Sequence, residues 1–61
     1  MTKEEFQGMD SIAANAIKGL MALSGRMKGL GVRQDDYDIP AEAAREIAVM
    51  LDSLRTDVFP D

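Results

Sequence analysis

Three sets of residues have side chains that could do chemistry. Asp35, Asp36 and Asp38, with Tyr37 among them, form the densest acidic group. Clustered carboxylates can hold calcium or magnesium, or imitate the phosphates of a nucleic acid. A helix–loop–helix calcium loop needs oxygen ligands at set intervals, a central glycine and a bidentate glutamate at its end. This stretch has no glycine and is too short, so the better expectation is a solvated turn whose last Asp caps a helix. Arg26, Lys28 and Arg33 form the second set. They could grip phosphate or an acidic partner, but cations also favour a helix C-terminus for its dipole alone.

The third set is the serines. Ser11, Ser24 and Ser53 have no histidine to activate them, because the chain contains none. A Ser–Lys pair with Lys18 or Lys28 would still need an oxyanion-hole loop or a strand-to-helix elbow, and neither is present in the pattern. Histidine is also the commonest zinc ligand, and cysteine is absent too. A 61-residue chain of this pattern offers little room for a substrate cleft. The expectation is therefore a non-enzyme with no catalytic residue, no metal, no cofactor and no small-molecule substrate.

The elements that would carry these groups are two helices. From Phe6 the apolar residues fall at Met9, Ala13, Ala16, Leu20, Leu23, Met27 and Leu30, spaced alternately by 3 and 4. That is one face of an amphipathic helix. Ile12, Ile17 and Met21 widen it. Thr2 and Glu5 have capping-box spacing, and Met1 and Phe6 sit where a hydrophobic staple would be. Gly31 in a left-handed conformation would set Val32 against Met27, a Schellman ending. Gly8, Gly19, Gly25 and Gly29 weaken this helix by about 1 kcal/mol each, and a break near Gly8, with Asp10 or Ser11 as the new cap, is an open alternative. Gly8, Asn15, Ala22 and Gly29 recur every seven residues as a stripe of small residues, which is either plain exposed surface or a place where another helix comes close.

The second seam runs Ala44, Ile47, Leu51, Leu54 and Val58, flanked by Ala43 and Met50. Pro40 suits the first turn of a helix, with Asp38 or Ile39 as its cap. Glu42 with Arg45 and Asp52 with Arg55 are surface pairs at helical spacing. The expected fold is all-α: a single antiparallel two-helix hairpin, with a helix at about 3–30, a turn at about 31–39 and a helix at about 40–57. On those boundaries the first helix is the longer, and its first ten residues overhang.

Size and charge say what such a hairpin needs. Below roughly 70–80 residues one core rarely supplies more than about 3–5 kcal/mol. With no disulfide possible, oligomerisation or docking on a larger protein is the remaining staple, most simply a homodimer closing a four-helix bundle. The expected assembly residues are Leu20, Leu23, Met27, Ile47, Leu51 and Leu54. For the partner they are Phe6, Met9, Val58 and Phe59, with Met21 and Met50 on the flanks.

The net charge is −4, unevenly spread. Residues 1–33 carry five basic and three acidic groups, net +2, and residues 34–61 carry two basic and eight acidic, net −6. Unlike halves attract within a chain or between chains. The acidic total disfavours direct nucleic-acid binding, which would require an oligomer pooling Arg26, Lys28 and Arg33. No apolar run approaches the roughly 20 residues of a membrane span, and the acidic start, Met1 to Glu5, is unlike a secretory signal, so the expected location is cytoplasmic. Two functions follow. One is a non-catalytic helical module that self-associates and binds a larger protein as adaptor, accessory subunit or regulator. The other is a stoichiometric inhibitor of a nucleic-acid-handling protein, led by Asp35, Asp36, Asp38, Glu42 and Glu46.

Overall fold

The computed structural model describes residues 1–60. Helix α1 spans Lys3–Gly29 and helix α2 spans Gln34–Val58. They pack antiparallel as one hairpin of 43 × 16 × 14 Å, with no strand among the described residues.

The start of α1 is the capping box its sequence promises. The Glu5 backbone N–H donates to Thr2 Oγ1 at 3.1 Å, and the Thr2 N–H donates to Glu5 Oε1 at 2.8 Å. The Thr2 hydrogen bonds hold the Glu5 carboxyl below its ordinary pKa. Met1 stays exposed while Phe6 turns inward. The helix runs unbroken through Gly8 and Asp10. It ends as a Schellman motif: the Val32 N–H donates to the Met27 carbonyl at 3.0 Å and the Gly31 N–H to the Lys28 carbonyl at 3.1 Å. Gly31 has φ +82°, the left-handed conformation such an ending needs.

Helix α2 departs from the expected boundary. It begins at Gln34, so the connection is only Leu30–Arg33, and Pro40 lies inside the helix. Asp35 and Asp36 fall in the first turn, where the helix dipole favours anions. A proline here leaves the Asp36 carbonyl without its helical donor, and Asp36 is on the exposed side where water can serve instead. The earlier start makes the helices 27 and 25 residues long, so the expected overhang does not exist.

The seam of α2 is Pro40, Ala44, Ile47, Leu51, Leu54 and Val58, all buried or half-buried, as its spacing indicates. The seam of α1 is rotated from the expected one. Phe6, Ala13, Leu20 and Met27 face α2 as anticipated, but between them come Asp10, Ile17 and Ser24 rather than Met9, Ala16, Leu23 and Leu30. The inward polar groups have partners on α2. Ser24 Oγ donates to the Tyr37 carbonyl at 2.6 Å, and Asp10 pairs with Arg55 at 3.6 Å. Among the described residues no buried side-chain nitrogen or oxygen lacks a partner.

Candidate functional site

At 3.6 residues per turn, positions 9, 16, 23 and 30 sit about 80° to one side of the α1 seam, with Ile12 further round. Lys28, whose ammonium lies 5.9 Å from the Tyr37 ring centroid, is on the opposite flank of α1. Arg55, which reaches Asp10, marks that same side of the hairpin on α2. The other flank of α2 therefore shares a side with Met9 and Leu23, and it carries Ala43 and Met50, with Ile39 beyond them. The result is one continuous apolar face drawn from both helices.

This face is uncovered. Ile12, Leu30 and Ile39 each expose between 64% and 74% of their surface, and Leu23 and Met50 about half. Soluble monomers expose single apolar side chains commonly, but rarely a contiguous set of this size. Charge is sparse around it. From residue 11 to residue 25 the one charged side chain is Lys18, on the far flank of α1. Arg26 sits at the rim, and Asp36 and Asp57 bracket the apolar stretch on α2.

The residues singled out in the sequence divide between this face and the interior. Of those expected to carry self-association, Leu20, Met27, Ile47, Leu51 and Leu54 lie in the seam within the chain, and Leu23 points outward. Of those expected to meet a partner, Met9 and Met50 are on the uncovered face and Met21 is exposed on the opposite flank. Phe6 is buried. Its ring meets Phe59 edge-on, 5.9 Å between centroids at 77°. The Arg55 guanidinium lies 5.8 Å from the Phe6 ring and the Lys3 ammonium 5.2 Å from that of Phe59. Phe6, Phe59 and the half-buried Val58 therefore close the open end of the hairpin instead of forming a free patch. Ile12, Leu30 and Ile39 were not among the expected contact residues. Their signal was present: an apolar stripe wider than one partner helix can cover.

Asp35, Asp36, Glu42 and Glu46 are exposed on α2 and Asp38 is half-buried. Asp35 lies 4.0 Å from Arg33 with both side chains largely in water, a pair worth little. Among the described residues no three acidic groups converge as a metal site would require, no pocket is found, and no helix is long and apolar enough to cross a membrane. Ser24 is held on the Tyr37 carbonyl, and no lysine contacts it among the hydrogen bonds described. The chain matches no known family model, no curated protein and no solved structure.

Proposed function

We propose that this chain is a non-catalytic helical interaction module that associates with itself and with a larger protein, as an adaptor, accessory subunit or regulator. One observation carries the proposal: the contiguous apolar face of Met9, Ile12, Leu23, Leu30, Ile39 and Met50, left in water by the fold. Burying apolar surface releases about 25 cal/mol per Å², so a face of this kind is a standing drive toward association. The inward-turned polar residues sharpen the point. The fold spends Asp10 and Ser24 on the seam and leaves larger apolar groups outside, the arrangement expected when the outside is to be covered too.

The test uses Leu23→Glu and Ile12→Glu, both at exposed positions where the hairpin should tolerate a charge. Circular dichroism should show near-normal helicity in each. Capture of the partner from native cell extract, with identification by mass spectrometry, should be lost in both. Unchanged capture would remove the face from the function. The acidic-inhibitor reading has one supporting feature, the exposed carboxylates along α2. It calls for binding that falls steeply with added salt and survives Leu23→Glu, whereas an apolar contact responds weakly to salt.

A further inference from the structure

The uncovered face has one occupant that its area, charge and register all suit: a second copy of this chain. The chain exposes 4653 Å² at a mass of 6.7 kDa. A compact monomer of that mass exposes about 3,900 Å². The excess, roughly 750 Å², is close to the ~800 Å² that each partner buries in a standard interface. Its origin is geometric. Two paired helices make a single layer, and a domain ordinarily needs two layers around a core.

Charge selects how the layers stack. The half containing α1 is net +2 and the half containing α2 is net −6. A twofold axis across the hairpin would lay α1 on α1 and bring the two strongly acidic helices together. A twofold axis along the hairpin lays α1 of each copy over α2 of the other, so that unlike halves meet. This axis also keeps every residue at its own level. The Ser24–Tyr37 contact sets that level, and it puts Arg26 at about the height of Asp36 of the second copy, once on each side of the axis. Both groups are exposed and at the rim of the face, and neither forms an ion pair among the described residues. Between the rims, Ala16 and Ala43 leave room for Leu23 and Met50, so large and small side chains can interleave.

We infer that two copies pair through this face as an isologous, antiparallel four-helix bundle, α1 of each over α2 of the other, with Arg26 against Asp36 of the second copy. The inference rests on the self-associating module proposed above and names its partner and geometry.

Because the chain has no cysteine, a single Gln34→Cys substitution takes one nitroxide label at the exposed start of α2, next to the turn. In this bundle both turns lie at the same end, and pulsed dipolar spectroscopy should give a label separation below about 30 Å, from interaxial distances of about 10 Å plus the labels. A separation beyond about 40 Å, with the turns at opposite ends, would overturn the arrangement. Arg26→Asp and Asp36→Arg should each weaken the dimer about 10-fold, and the double exchange should restore it. Single variants as tight as the parent would overturn the register. A parent chain that stays monomeric at 100-fold dilution and at high concentration alike overturns the inference. If Leu23→Glu then still abolishes capture of a larger protein, the interaction-module reading stands without it. If Leu23→Glu changes nothing, both fail.

Discussion

Replacing Leu51 by alanine tests the packing of the hairpin where it is least redundant. Leu51 exposes 5% of its surface, which puts it with Phe6 and Ala44 among the buried apolar side chains described. The change removes three carbons, about 2.4 kcal/mol at 0.8 per buried carbon. A cavity adds to that, but a single layer of two helices can collapse into the space, so the total falls near the lower end of the usual range, about 2–3 kcal/mol. For a domain of this size each kcal/mol moves the midpoint by roughly 4–8 °C, so a drop of about 10–20 °C is expected. Val49 is two residues away and 68% exposed. Its replacement by alanine removes nothing packed and gains a few tenths of a kcal/mol in helix propensity, so its midpoint should stay within a few degrees. Thermal melts followed by circular dichroism at one fixed protein concentration measure both, since association itself raises the midpoint. Equal shifts, or a larger one for Val49, would refute the phase of α2 and the core built on it.

Phe6→Ala combined with Phe59→Ala should lower the midpoint sharply at every protein concentration, because the rings close the hairpin's open end; unchanged stability would remove that role. Gly31→Ala should destabilise by about 1–2 kcal/mol in chemical denaturation, from the left-handed backbone alone, since no atom crowds the position. Gly25→Ala should stabilise by up to about 1 kcal/mol, the added methyl meeting nothing within 4 Å. Glu5 is held below its ordinary pKa by Thr2, so its contribution is present at neutral pH and is lost as pH falls through that lowered value. Denaturation of the parent and Glu5→Gln should differ near pH 7 and converge in acid, and a gap that widens in acid would reverse the sign.

Much of the fold was legible because its signals are local. The capping box needs Thr2 and Glu5, the Schellman ending needs Gly31, and the α2 seam repeats without competition. The phase of α1 was not legible from the same kind of reading. Two stripes share Phe6, Ala13, Leu20 and Met27, and an apolar tally prefers Met9, Ala16, Leu23 and Leu30 to Asp10, Ile17 and Ser24. What reverses the choice lies on the other helix: Arg55 for Asp10 and the Tyr37 carbonyl for Ser24. Those partners have no periodic signature in the sequence. The start of α2 was missed for a related reason. Pro40 reads as a first-turn residue, yet it sits in the second turn, where the residue that loses its helical donor is the exposed Asp36. The candidate face follows from the rotation of α1, so the sequence displayed its residues but assigned half of them to the interior.

Sedimentation equilibrium of the unmodified chain, from low micromolar concentration upward, tests most directly whether the apolar face is there to be covered. The expected mass is twice the 6.7 kDa of the chain, falling toward the single-chain value on dilution. A fully helical species of 6.7 kDa at every concentration would contradict self-association through the face of Met9, Ile12, Leu23 and Met50.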